Sequence, residues 1–162
     1  MEAGISPILQ LWKTDLMVHV NDQDLKTTLT TTRRIAMVGA SSKPDRASYH
    51  VLAFLLEHGY DVVPVNPVAA GQTLFGRKIV ATLAEAAPFD MLDLFRRSED
   101  VLSPVREAIQ LGAKTIWMQL GVMNEQAAME AKAAGLTVIM DRCPAIEIPR
   151  LNIKPSDRSK TP

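Results

Sequence analysis

The sequence predicts an α/β fold, a doubly wound parallel sheet of about five strands with helices on both faces. Three observations carry this. Short β-branched or apolar runs alternate with stretches of helical period, at the spacing of strand–helix–strand units. The runs are apolar nearly throughout, as strands buried on both faces are. Each run ends in a polar or glycine-bearing segment, the pattern of a sheet whose strand ends carry a site. With right-handed crossovers, these units assemble into a Rossmann-like domain.

Taken in order, residues 1–20 fit no element and read as a flexible N-terminal extension. Within it, Ile8 to Met17 could form only a short amphipathic turn, because Gly4 and Pro7 interrupt it. Asn21 followed by Asp22 and Asp24 marks a helix start, with acids where the helix dipole favours them. Leu25 and Leu29 lie on one face of that helix. The threonine run 27–32 should end it, and the helix should pack at the sheet edge. Ile35 to Val38 is the first strand, and residues 41–48 form the loop after it. Val51, Leu52, Leu55 and Leu56 give the next helix its apolar stripe, and Gly59 ends it.

Asp61 to Val65 is the second strand, with Pro64 removing one ladder hydrogen bond. A connection over 68–81 follows. Thr82 caps a short helix that Pro88 stops. Met91 to Phe95 is the third strand, and Ser98-Glu99-Asp100 opens a helix in which Pro104 either sits late in the first turn or shifts the true start by a few residues. Thr115 to Met118 is the fourth strand. Asn124-Glu125 starts an alanine-rich helix closed by Gly135, and Leu136 to Met140 is the fifth strand. Pro144, Pro149 and Pro155 forbid a long terminal helix. Residues 152–162 read as a disordered tail, leaving 21–151 as one domain.

Composition limits the function classes. The 162-residue chain has 18 basic and 18 acidic residues, so no global field draws it to nucleic acid or membrane. Any anion site must come from local placement. The one cysteine, Cys143, allows no intramolecular disulfide. No signal peptide and no membrane-length apolar run are seen. A cytoplasmic protein without membrane or nucleic-acid partners is expected, and oligomerisation stays open.

Ligands of open parallel sheets lie beyond the carboxyl ends of the strands. There the chain places Ser41, Ser42, Lys43 and Arg46 after strand one and Asn66-Pro67 after strand two. Arg96-Arg97 follow strand three, Gln119-Leu120-Gly121 follow strand four, and Arg142-Cys143 follow strand five. Five cations from three turns converge on one edge of a neutral chain, which suits a ligand with several phosphates. Taken singly, each is an ordinary solvated loop residue; only the set points to a ligand. Lys43 and Arg46 are favoured because the following helix adds free N–H groups. One of Arg96 and Arg97 should face the ligand while the other pairs elsewhere.

A nicotinamide dinucleotide fits less well. Only Gly39 of the three fingerprint glycines is present, and strand two ends in Asn66 instead of an acid. No histidine, cysteine and acid spacing suggests a metal. His58 suits a helix end, and His50 suits a helix surface. Asp90 and Asp93 flank strand three without pairing as acid and base. No catalytic set is assembled. Cys143 is the one candidate thiol, either a small buried hydrophobe or a reactive group beside Arg142.

The segments Ile35-Ala-Met-Val-Gly-Ala-Ser-Ser-Lys-Pro-Asp-Arg, Val65-Asn-Pro, Asp93-Leu-Phe-Arg-Arg, Trp117-Met-Gln-Leu-Gly-Val and Met140-Asp-Arg-Cys-Pro occur in this order. Together they resemble the stand-alone CoA-binding domain proteins, which are related to the N-terminal domain of the succinyl-CoA synthetase α subunit. The resemblance spans about residues 21–151. It implies binding of CoA or an acyl-CoA without catalysis by the domain alone. Carried over by position, Gly39, Ala40, Ser41, Ser42, Lys43 and Arg46 would hold phosphates. Val65, Asn66 and Pro67 would border the adenosine, and Phe95, Arg96 and Arg97 would line the adenine and phosphate side. Gln119 and Gly121 would face the pantetheine arm, with Cys143 near the thiol end. Val68-Ala69-Ala70 departs from relatives that carry a basic residue there. The phosphorylated histidine of the synthetase has no counterpart, so ligase activity is not expected. The alternatives are a nicotinamide-dependent oxidoreductase, a Cys143-dependent acyl-transfer enzyme, or a Cys143 that exchanges disulfides with CoA.

Overall fold

Successive strand residues point to opposite sides of a sheet, and in this protein both sides are covered. The computed structural model describes residues 20–158. Five strands pair in parallel: β1 (Arg34–Val38), β2 (Asp61–Val65), β5 (Met91–Leu94), β6 (Thr115–Met118) and β7 (Thr137–Ile139), in the order β2-β1-β5-β6-β7. On one face Ile35, Met37, Val62, Met91, Trp117 and Ile139 pack under α1 (Asp22–Thr31), α2 (Ala47–Glu57) and α6 (Pro144–Arg150). On the other, Ala36, Val38, Val63, Leu92, Leu94, Ile116 and Met118 pack against α3 (Leu83–Ala86), α4 (Leu102–Gln110) and α5 (Glu125–Ala133). This is the expected Rossmann-like sheet with helices on both faces.

Several elements differ from expectation. The threonine run ends α1 at Thr31 as expected, though most of the run is itself helical. Thr30, Thr31 and Thr32 each donate a hydroxyl to the carbonyl four residues back, at 2.8, 2.8 and 2.7 Å. Those hydroxyls therefore stay within the helix and leave the backbone ladder intact. α1 lies beside the edge strand β7, with Asp24, Thr27 and Thr28 next to Thr137 and Val138. Leu25 and Leu29 are fully buried on the sheet face, beside α6. Pro64 is tolerated because β2 is itself the edge strand.

The connection over 68–81 contains a hairpin, β3 (Thr73–Leu74) and β4 (Arg77–Lys78). Its two turn residues, Phe75 and Gly76, both have positive φ, 50° and 76°. Positive φ at both positions is the type I′ pattern of two-residue hairpins, and Phe-Gly is not the sequence that usually advertises it. Ser98–Asp100 is a 3-10 turn and α4 begins at Leu102, so of the two expected starts the one shifted by Pro104 is found. A seven-residue helix, α6, fits between the prolines, with Pro144 at its start, where a missing N–H costs nothing.

The expected tail disorder does not hold for residues 152–158. Ile153 is buried and Pro155–Asp157 forms a 3-10 turn. Arg158 stacks over the Tyr60 ring at 3.6 Å and donates to the carbonyls of Thr32, at 2.7 Å, and His58, at 3.3 Å. The anchor is one arginine in a polar segment, too little for composition to reveal. The expectations for the N-terminal extension up to residue 19 and for 159–162 lie outside the described residues.

Candidate functional site

Between β1 and β5 the chain changes direction across the sheet. One crossover from β1 runs outward to β2, and the next returns past β1 to β5. This switch point is where a doubly wound sheet opens a crevice. Gly39 makes the crevice possible. Its φ is +85°, and a Cβ there would lie 2.1 Å from the Phe95 carbonyl oxygen. Its N–H donates to Val65 at 3.1 Å, while the Phe95 N–H donates to Val38 at 2.9 Å.

The loop after Gly39 is shaped by its own side chains. Ser41 N–H donates to Ser48 Oγ at 3.0 Å, and Lys43 N–H to Ser41 Oγ at 3.1 Å. Asn66 binds this loop to the one after β2. Its Nδ2 donates to the Ala40 carbonyl at 2.8 Å, and its Oδ1 accepts from Val68 N–H at 2.9 Å. The α2 helix then starts without a side-chain cap at Arg46. Asn21, Thr82 and Asn124 cap α1, α3 and α5, while α4 and α6 start without a side-chain cap as α2 does. The first amides of α2 are thus left for an outside acceptor.

These loops border a cleft of about 870 Å³, in the upper part of the range for small-molecule sites, roughly 300–1,000 Å³. Gly39, Ser41, Ser42, Lys43, Arg46, Asn66, Pro67, Phe95, Arg96, Arg97 and Gln119 line it. Leu120, expected at this edge, lines it too, as do Ala47, Ser48, Val68, Ala69, Gln72 and Val122, which were not among the expected site residues. Of these, Val68 is 94% exposed and Leu120 57%, so the cationic cleft has apolar lips. An apolar residue next to a polar strand end was the only sequence signal for them.

Four of the five expected cations meet at the cleft. Lys43, Arg46 and Arg96 have no ion pair among the described residues. Arg97 pairs with Asp100 at 2.8 Å and with Glu99 at 3.6 Å. Those acids hold its guanidinium above its ordinary pKa, with the Asp100 hydrogen bond the largest cause. Arg142 does not join them. Its Nη1 lies 3.2 Å from Glu147, a buried carboxylate that Arg150 also holds, at 2.6 Å. Ala40 and Val65 are buried, and they are not among the lining residues. Gly121 lies outside the cleft, its N–H donating to Asp141 Oδ1 at 2.7 Å.

Cys143 is buried at the start of α6 and does not line the cleft. Burial pushes its thiol pKa up. The amides of Ala145 and Ile146 offset this in part, and the charges of Asp93 and Glu147 add to it. Asp93, expected to flank strand three without a partner, lies within the strand. It lies fully buried inside β5, in register between Met37 and Trp117. Its Oδ1 accepts from Gln119 Nε2 at 2.8 Å, while Oδ2 has no partner among the described residues. Burial pushes its pKa from 3.8 up to about 7, against the lowering effect of the Gln119 bond.

Fold and cleft together define a Rossmann-like α/β domain with a cationic crevice at its switch point. The chain belongs to the CoA binding domain family, whose profile matches residues 33–149. It is 38% identical over 128 residues to the uncharacterized protein YneT of Bacillus subtilis (strain 168), covering 78% of this chain and 93% of that one. A hypothetical protein from Pyrococcus horikoshii OT3 superposes with TM-score 0.78 at 37% identity, covering 84% of this chain and 95% of that one. The cell-free ID.343 protein from Thermus thermophilus superposes with TM-score 0.77 at 37% identity, covering 82% and 99%. The chain is also similar to 26% of the dinucleotide forming acetyl-coenzyme A synthetase 1 of Ca. Korarchaeum cryptofilum, over 68% of its own length, with TM-score 0.58 and 26% identity.

Proposed function

We propose that the protein binds CoA or an acyl-CoA in the switch-point cleft and performs no bond-making step alone. The observation that carries this is the union, in a member of this family, of Lys43, Arg46 and Arg96 with the uncapped start of α2. Phosphates would supply the missing cap and offset the cations, each charge-assisted hydrogen bond contributing about 1.5–3 kcal/mol. The apolar lips at Val68 and Leu120 suit the adenine and the pantetheine arm. No carboxylate, imidazole or thiol lines the cleft among the described residues, which supports binding over chemistry.

The test is thermal unfolding with CoA, acetyl-CoA and NADH. A ligand that binds only the folded state raises the melting temperature. CoA and acetyl-CoA should both raise it, and NADH should not. A protein stabilised by NADH and untouched by CoA would overturn the reading.

A further inference from the structure

Asp93 has no place in phosphate binding, yet it is a fully buried carboxyl on a strand that ends at the cleft. Among the described residues its one side-chain hydrogen-bond partner is Gln119, and Gln119 lines the cleft. An ionised carboxylate only accepts hydrogen bonds. It therefore holds the Gln119 amide with Nε2 inward and leaves Oε1 as the open end.

The geometry points to Asp93 as a positioning residue that sets Gln119 to accept a hydrogen bond from an amide N–H of the ligand's organic arm. This deepens the CoA reading and rests on it, since CoA carries secondary amides along its pantetheine arm.

The same pair makes the contact depend on a proton. When Asp93 is protonated, the proton belongs on Oδ1. On Oδ2 it would be a buried donor with no acceptor, which is costlier than a bare carbonyl oxygen. From Oδ1 it must be donated to Gln119 Oε1, so the amide turns over and presents its NH2 group to the cleft. An N–H on the ligand then meets a donor. Ligand binding thus selects the ionised carboxyl and releases a proton. A carboxyl with pKa about 7 makes this exchange measurable near neutrality.

The groups that face Asp93 do not obscure it. β1 and β6 contribute Met37 and Trp117, which do not titrate. The residues that α1 and α2 bury in the core on that side of the sheet include Leu25, Leu29, Val51 and Leu52, which do not titrate. The N-terminal end of α6 contributes Cys143, whose thiol is held up, and Glu147, which is paired to Arg142 and Arg150.

The test is calorimetric titration with CoA and with adenosine 3′,5′-bisphosphate, which has the phosphates and lacks the amide arm. Each is run at pH 7 in buffers of different ionisation enthalpy, on the wild type and Asp93→Asn. Phosphate titration is common to both proteins and cancels in the difference. If binding lowers the carboxyl by one unit, the wild type releases roughly 0.4 protons more per CoA than Asp93→Asn. Its affinity then rises about fivefold more from pH 6 to pH 8. The bisphosphate shows no such difference. Gln119→Met, which cuts the link from the other side, abolishes the extra release. CoA binding with equal proton release by wild type and Asp93→Asn, or with uptake by the wild type, overturns this inference and leaves the CoA reading standing. Absence of CoA binding by the folded wild type overturns both.

Discussion

Gly39 has the least freedom of any residue at the crevice. Its positive φ and the nearness of the Phe95 carbonyl exclude every other side chain. Gly39→Ala should lose about 2–4 kcal/mol in urea unfolding, from strain plus the clash. Asp93 constrains the fold through charge. A carboxyl raised in the folded state binds its proton more tightly there than when unfolded. Stability from this group is therefore fully present below about pH 4 and declines as pH rises towards 7. Asp93→Asn should gain up to about 4 kcal/mol at pH 8, a gain that vanishes near pH 4. A denaturation series across pH reads it directly. Cys143 shares this corner. Burial holds its thiol up, with the Asp93 charge as one further cause, so alkylation by iodoacetamide should be slow in the wild type and faster in Asp93→Asn. The sequence position of Asp93, inside an apolar run, was visible. Its burial and its bond to Gln119 were not, because both depend on the register of β5 with β6.

At the scale of elements, the cleft is a set of strand-end loops locked to one another. Asn66 ties the loop after β1 to the loop after β2. Ser98 and Asn124 do the same for the loops after β5 and β6. Asn124 Nδ2 donates to the Ser98 carbonyl at 2.9 Å while its Oδ1 caps α5 at Ala127. Asn124→Ala should therefore cost about 1–2 kcal/mol of stability. It should also weaken CoA binding, because Arg96 and Leu120 sit on the loops it joins. Helix starts such as Asn21, Thr82 and Asn124 were legible, since a cap is a local signal. The hairpin β3–β4 and the helix α6 were not. The first depends on an unusual Phe75-Gly76 turn. The second is short and survives two prolines because one begins it and the other falls in its last turn.

For the molecule as a whole, net charge is zero while the crevice is cationic, so placement rather than total charge defines the site. The sheet and its ligand edge could be read from the alternation of runs and strand ends. The strand ends bring Lys43, Arg46, Arg96 and Arg97 to one cleft, as the order of elements implied. Arg142 shows where that reasoning stops. It stands at a strand end like the others, but a buried acid five residues on, Glu147, holds it. A long-range cation can be placed from topology, whereas its pairing depends on side chains that only the packed structure brings near. The central claim is tested most directly by calorimetric titration of the wild type and of Lys43→Ala/Arg46→Ala with CoA at low and high salt. The account predicts saturable one-site binding to the wild type that weakens with salt, because exposed charges are screened. The double variant should bind at least about 100-fold more weakly, from two charge-assisted contacts, with its melting temperature unchanged. Undiminished CoA binding by the folded double variant, or none by the wild type, would contradict it.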